Sequence, residues 1–186
     1  MEPAGTELLR EHLARSRVFL EYGSGGSSVM ATRMGVEKIY SVDSDLAFLT
    51  AVQSKVAEAT GAAYLPIYVD IGPTGDWGHP TSREFAHLWP NYAREPWSML
   101  RDAVDKPDLV LVDGRFRIAS FLTSLLHAPA GCVILFDDYE DRPIYHVVEQ
   151  YLKPVRTAGR MAQFIVPVQR PAGLDKAVAQ YCQDPS

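Results

Sequence analysis

The sequence predicts an α/β three-layer sandwich: a mostly parallel, seven-stranded sheet with helices on both faces and an antiparallel C-terminal hairpin strand. Three observations carry this. Apolar runs with strand character alternate with segments of helical periodicity along most of the chain, as they do when helical crossovers join parallel strands. The run Val18-Phe19-Leu20-Glu21-Tyr22-Gly23-Ser24-Gly25-Gly26-Ser27-Ser28 feeds a strand into a glycine-rich turn. Two late strands, Val155 to Ala158 and Met161 to Val168, are joined through Gly159-Arg160. That is a hairpin signal, and one strand of a hairpin must run against its neighbour.

The elements follow in order. Thr6 to Arg15 reads as a short helix, with Thr6 as N-cap and Leu9 and Leu13 on one face. Arg17 to Tyr22 is the first strand, and a helix is expected from about Ser27 to Gly35. Lys38 to Asp43 is a second strand that ends on a carboxylate. Phe48, Leu49, Val52 and Val56 recur at helical spacing in Asp45 to Thr60, and Gly61 ends that helix. Ala63 to Asp70 is the third strand. Pro107 to Asp113 is the fourth, and its near-continuous apolar run suits a strand covered on both faces. A helix from Ile118 to Leu126 precedes the fifth strand, Gly131 to Asp137. Arg142 to Leu152 carries Ile144, Val147, Val148 and Tyr151 on one helical stripe, and Gly173 to Cys182 closes with a short helix.

The segment from 71 to 97 breaks this alternation. It is rich in glycine and proline and holds all three tryptophans, Trp77, Trp89 and Trp97. A connection this long is often functional. It reads either as a surface excursion anchored by its tryptophans, or as a lid or pocket wall. It leaves the carboxyl end of the third strand, where ligands bind in such sheets. Thr81 to Leu88 is expected to form a short helix within it.

A length of 186 residues favours one domain, 1–186, with its own core. A net charge of −5 does not support a nonspecific grip on nucleic acid. Cys132 and Cys182 cannot make a zinc framework alone, and Cys132 lies in an apolar run as a buried thiol. The N-terminal residues show neither a basic start nor a long apolar run, so no signal peptide is expected. No apolar stretch approaches a membrane span. A cytoplasmic protein without membrane or nucleic-acid partners is the expectation; a homo-oligomer is compatible with it.

Strand, glycine turn, helix, strand and acid outline a nucleotide-type cofactor site. Glycines allow positive φ and close approach of a ligand to the backbone. The helix after the turn offers free N–H groups and a positive dipole end. Asp43, about 20 residues beyond the first glycine, is placed to accept hydrogen bonds from ribose hydroxyls. Two cofactors compete. A dinucleotide fingerprint finds Gly23 and Gly25 but Ser28 in place of its last glycine. Glu21-Tyr22-Gly23-Ser24-Gly25-Gly26-Ser27 instead fits the S-adenosylmethionine pattern: an acid, one residue, G-x-G and a small residue. Glu21 then orients the turn and meets the methionine ammonium, directly or through water.

On these residues the chain resembles the class I S-adenosylmethionine-dependent methyltransferase-like superfamily, with its Rossmann-like fold, over roughly Thr6 to Val168. Within it, the chain looks like the small bacterial methyltransferase-like proteins of undefined substrate. The resemblance rests on Glu21, Gly23 and Gly25, on Asp43, and on Asp70 after the third strand, where the family often places an adenine-binding acid. It extends to Leu109-Val110-Leu111-Val112-Asp113-Gly114, the fifth strand and the terminal hairpin. It implies S-adenosylmethionine as cofactor, bound by Glu21, Gly23, Ser24, Gly25, Asp43 and Asp70. Ser27 and the long insertion depart from the pattern, and no Asn-Pro-Pro-Tyr motif for base methylation is present.

The reacting end is expected after the fourth and fifth strands. Asp113 suits a general base or an orienting group, or else a helix cap. Arg115 and Arg117 suit an anionic substrate held in fork geometry, or else solvated surface. Asp137 and Asp138 are paired carboxylates that can share a proton or bind a hard metal. Metal-dependent O-methyltransferases place acids after these strands, but typically as Asp-Asn, and no metal is assigned here. Tyr139 and Trp77 are expected to line the substrate pocket. The histidines at 12, 79, 87, 127 and 146 show no metal-ligand spacing. The sequence reading is therefore an S-adenosylmethionine-binding protein that methylates a small molecule. A nicotinamide-dependent oxidoreductase and a non-catalytic binding module of the same fold are the alternatives.

Overall fold

The computed structural model describes residues 1–59 and 62–186. The sheet is built from β1 (Val18–Tyr22), β2 (Lys38–Asp43), β3 (Ala63–Tyr68), β4 (Leu109–Val112), β5 (Val133–Phe136), β6 (Arg156–Ala158) and β7 (Met161–Ile165). Its seven strands lie in the order β3-β2-β1-β4-β5-β7-β6. Strands β1 to β5 pair in parallel, and β7 runs antiparallel to both β5 and β6. The expected hairpin therefore inserts its second strand, β7, between β5 and β6.

Period-two alternation divides the strand residues between two cores. Leu20, Tyr40, Val110, Val112, Ile134 and Phe136 face one layer. That layer holds α4 (Pro90–Asp102), α5 (Arg117–His127) and α6 (Leu174–Tyr181). Phe19, Ile39, Leu109, Leu111 and Leu135 face the other, where α1 (Pro3–Leu13) brings Leu8, Leu9 and Leu13 and α2 (Gly26–Arg33) brings Ala31. Helix α3 (Leu46–Ala57) packs on α2 and β3. Every residue of β4 is buried, as its unbroken apolar run requires of a strand sandwiched on both faces.

Several local expectations shift. Helix α1 starts at Pro3, whose fixed φ suits a first helical turn, so Thr6 is not its cap. The Thr6 hydroxyl instead donates to the Glu2 carbonyl (2.9 Å). The Arg142–Leu152 segment is a 3₁₀ stretch, Pro143–Gln150, that buries Tyr145 and Val148 and leaves Ile144 exposed. Gly61, expected to end the third helix, lies outside the described residues. The largest difference is α4, which lies largely inside the segment read as irregular, while Thr81–Leu88 is turns rather than helix. Pro90 and Pro96 disguised α4, although Pro90 at the helix start is a recognised start signal.

The tryptophans show how this excursion is held. Trp89 Nε1–H donates to the Ile71 carbonyl (3.1 Å) and Trp97 Nε1–H to the Tyr22 hydroxyl (2.8 Å). The Tyr22 hydroxyl passes its own proton to the Ala93 carbonyl (2.8 Å). Both indoles are buried with their polar atoms satisfied. Trp77 differs: it is 89% exposed. Among the described residues, no helix is long and apolar enough to cross a membrane.

Candidate functional site

A cleft of about 710 Å³ opens at the carboxyl edge of the sheet, over the loops after β1, β2, β4 and β5. The strand order reverses between β1 and β4. Such a switch point leaves a crevice in open α/β sheets. The floor is made where the loops after β1 and β4 touch. Gly23 has φ +91°, and a Cβ there would lie 2.7 Å from the Gly114 nitrogen. A Cβ on Gly114 would in turn meet Gly23 N at 2.7 Å and press on the Tyr92 hydroxyl. Only two glycines allow the chains to approach this closely.

Asp43 locks the turn from the side. Its Oδ2 accepts the Ser24 N–H and its Oδ1 accepts the Asp45 N–H, each at 3.0 Å. Burial raises its pKa, opposed by those backbone donors. The carboxylate keeps acceptor capacity for an external donor, and Asp43 lines the cleft with Ser44, Asp45 and Phe48.

Glu21 lies behind the turn, fully buried and outside the cleft lining. Its carboxylate accepts from the hydroxyls of Ser27 (2.5 Å), Ser28 and Ser41 (2.7 Å). Burial pushes it up to about 7 against the lowering effect of those hydroxyls. These contacts tie Glu21 to the turn and to β2. Ser28 Oγ also accepts the Gly25 N–H (3.2 Å), so the residue standing where a dinucleotide loop has its last glycine is a structural part of this turn. Gly25 borders a second, adjoining hollow of about 320 Å³ with Gly26, Ser27 and Met30.

At the other end of the cleft Asp113, Asp137 and Asp138 converge, with one oxygen of each within 4.8 Å of the others. Burial and the Asp137 charge raise the Asp113 pKa. Arginines surround the cluster. Asp138 meets Arg117 (3.2 Å), Arg142 (3.0 Å) and Arg160 (3.3 Å), and Asp113 Oδ1 meets Arg117 (3.2 Å). The oxygens are a hard-cation donor set, but guanidinium groups already supply the opposing charge around Asp138. Asp137 is buried, and its Oδ1 has no hydrogen-bond partner among the described residues.

Arg117 departs from the expected substrate role. Its guanidinium also donates to the Gly114 (2.9 Å), Asp137 (2.8 Å) and Asp113 (3.0 Å) carbonyls. It ties the loops after β4 and β5 together and has no donor to spare for a ligand. Tyr139 also moves out of the site: it is buried against Phe136 and Phe164, with its hydroxyl donating to Glu149 (3.1 Å). Asp70 lies outside both hollows and accepts the Gly72 N–H (2.9 Å) in a local turn.

The tip of the excursion after β3 lines the cleft through Gly75, Trp77, Gly78 and His79. This tip is a tight turn: Thr74 bridges Pro80, Gly75 N–H donates to the His79 carbonyl (2.8 Å), and Trp77 stands at φ +57°. A Cβ on Gly78 would lie 3.6 Å from Ser44 Oγ and 3.7 Å from Arg115 Cγ, so the tip spans from the end of β2 to the end of β4. Trp77, Phe116 (φ +51°) and Asp138 (φ +58°) hold left-handed backbone in the loops after β3, β4 and β5. Strain of this kind costs about 1–3 kcal/mol per residue and concentrates at functional sites. Phe48, Tyr92, Arg142 and Arg160 join the lining without a local sequence signal to announce them, as does His79, whose place in the excursion is its one signal.

A methyltransferase-like protein from Silicibacter pomeroyi is 37% identical to this chain, with a TM-score of 0.89. The match covers 100% of this chain and 96% of that one. The chain belongs to that methyltransferase-like family. The fold extends further. An RNA methyltransferase from Salinibacter ruber, in complex with S-adenosyl-L-homocysteine, aligns at TM-score 0.54 and 12% identity, covering 94% of this chain and 98% of its own. An rRNA methylase from Streptococcus thermophilus aligns at 0.54 and 11%, covering 91% and 99%. At those identities only the fold is shared. No protein-family model and no curated protein matches the sequence. The strand order with β7 inserted antiparallel is thus the methyltransferase-like arrangement, and the cleft described above lies at its switch point.

Proposed function

We propose that the cleft binds S-adenosylmethionine and that the protein transfers its methyl group to a small-molecule acceptor. The observation that carries this is the Gly23 turn, held by Asp43 and packed on Gly114 at the floor of the cleft. The Rossmann dinucleotide fold orders its strands 3-2-1-4-5-6, whereas this sheet ends 5-7-6 with β7 reversed. With Ser28 bonded into the turn, that favours S-adenosylmethionine over a nicotinamide dinucleotide. Trp77 is 89% exposed and leaves the cleft unplugged, which favours a working site over an occluded binding module.

S-adenosylmethionine, when bound, supplies an electrophilic methyl group on a sulfonium. Asp43 would accept the ribose hydroxyls, with Ser44 and Phe48 beside it on the adenosine side. The carboxylates of Asp113 and Asp137 lie at the opposite end, beside Arg117 and the N-terminal ammonium. Asp113, with its raised pKa, would take a proton from an acceptor at a carboxylate oxygen. Most of the acceleration would come from holding the acceptor in line in a water-poor cleft.

The fold is shared with RNA methylases. The net charge of −5 favours a small acceptor over a polyanion. A thermal-shift panel of S-adenosylmethionine, S-adenosylhomocysteine, NAD and NADP tests the cofactor, because a ligand that binds the native state stabilises it according to its affinity. Stabilisation by the sulfur compounds alone is expected. Stabilisation by NAD or NADP alone would overturn the reading.

A further inference from the structure

The arginines lining the cleft are not equivalent. Arg117, Arg142 and Arg160 each meet carboxylates. Arg115 meets none among the described residues, although the residue is only 8% exposed and its side chain lines the cleft. Among the described residues its side-chain hydrogen bonds go to His79 alone, where Nη1 donates to Nε2 at 2.6 Å. A guanidinium carries five donors, so most of the fork is unspent. Burying such a cation without an anion is costly. Burial lowers its pKa, and the Arg117 and Arg142 charges act in the same direction. Burial and the charges of Arg115 and Arg142 likewise favour neutral His79. Because its Nε2 accepts from Arg115, the imidazole carries its proton on Nδ1.

The backbone fixes this arrangement. The Arg115 N–H donates to the buried Tyr92 hydroxyl (3.3 Å), and its stem runs beneath Gly78 at the tip of the excursion. His79 follows Gly78 directly, so the cation from the β4 loop and the imidazole from the excursion meet across the cleft. We propose that Arg115 and His79 form a subsite for the oxyanion, carboxylate or phosphate, of a small-molecule acceptor. A planar guanidinium with free donors matches either group bidentately. The anion would supply the counter-charge that Arg115 lacks, and it would hold the tip of the excursion down over the bound acceptor. The assignment to an acceptor rests on the methyltransferase reading; the anion subsite itself is testable apart from it.

The test is titration of the full-length protein with inorganic phosphate and with malonate, following the His79 imidazole signals by NMR, assigned with His79→Asn. Isothermal titration with S-adenosylhomocysteine runs in parallel. Saturable shifts of His79 are expected with at least one anion. Arg115→Met should weaken that binding by about tenfold or more, the loss of a charge-assisted hydrogen bond, and Arg115→Lys should restore part of it. S-adenosylhomocysteine affinity should change less than about threefold in both variants, about the 0.6 kcal/mol that such a ratio represents. Circular dichroism melts establish that the variants fold. Unsaturable shifts, or equal anion affinity in folded Arg115→Met, would overturn the subsite. A large loss of S-adenosylhomocysteine affinity in Arg115→Met would reassign Arg115 to the cofactor carboxylate and overturn the acceptor role. A short RNA that protects His79 far better than phosphate would overturn the small-molecule assignment. Anion binding at Arg115 without any S-adenosylhomocysteine binding would uphold the subsite and refute the methyltransferase reading instead.

Discussion

Gly23 and Gly114 are packed back to back, so that a Cβ on Gly23 would stand 2.7 Å from the Gly114 nitrogen. This contact joins the loop after β1 to the loop after β4 and sets the depth of the cleft. Gly23→Ala must absorb both a positive φ and a backbone collision. It should destabilise the protein by about 2–4 kcal/mol and abolish S-adenosylhomocysteine binding. Gly26, in the first turn of α2, has open space where its Cβ would go. Gly26→Ala should match or exceed wild-type stability, by up to about 1 kcal/mol. Urea unfolding of the two variants makes the comparison; equal losses would show that the Gly23 contact is not specific.

Glu21 gives the fold a pH signature. Its folded pKa, about 7, lies above the ordinary value of 4.5. Between those limits the folded state holds the proton more tightly than the unfolded chain does. The stabilising contribution is therefore fully present below about 4.5 and is lost as pH rises through about 7. Asp43 and Asp113, also raised by burial, act in the same direction. Glu21→Gln should flatten the fall in stability between pH 5 and 7.5, removing about 3 kcal/mol of it at most. An unchanged slope in urea unfolding across that range would mean that Glu21 is charged throughout.

Arg117 and Arg115 lie two positions apart and should respond oppositely to truncation. Arg117→Met strands Asp113, takes one of the three guanidinium partners of Asp138 and frees three carbonyls. A loss of about 3–5 kcal/mol is expected for breaking a buried pair. Arg115→Met leaves no carboxylate unpaired and should be close to neutral or slightly stabilising, since it removes a buried cation without a counter-ion. Thermal melts decide; a larger loss for Arg115 than for Arg117 would reverse the roles assigned to them.

The contrast between these arginines marks how far the sequence could be read. Elements set by local pattern were legible: the β1 strand and its glycine turn, the all-apolar β4, the Asp43 terminus and the hairpin through Gly159. So was the convergence of Asp113, Asp137 and Asp138, because parallel strands bring their carboxyl ends to one edge. Roles that depend on which loops meet in space were not legible. Arg117 is consumed because the loops after β4 and β5 meet, and Arg115 is spared because it faces His79, far away in sequence, and no carboxylate among the described residues. Tyr139 turns into the core one residue after Asp138, where the backbone adopts positive φ. Helix α4 was hidden by Pro90 and Pro96, which read as a loop until Pro90 is seen at the helix start.

Asp43 is the side chain best placed to tie a ribose to this cleft, and it also accepts the Ser24 and Asp45 N–H groups. Asp43→Ala should lower S-adenosylhomocysteine affinity by about tenfold to a hundredfold, the range for losing hydrogen bonds to a charged acceptor. Asp43→Asn, which keeps one carbonyl oxygen, should lose less. Equal affinities in wild type and Asp43→Ala would place the cofactor elsewhere.

The most direct measurement is isothermal titration of the wild-type protein with S-adenosylhomocysteine, alongside NAD. Saturable binding of S-adenosylhomocysteine at one site per chain, weakened by Asp43→Ala and absent for NAD, is the predicted result. No heat with S-adenosylhomocysteine, or tighter binding of NAD, would contradict the assignment of this cleft.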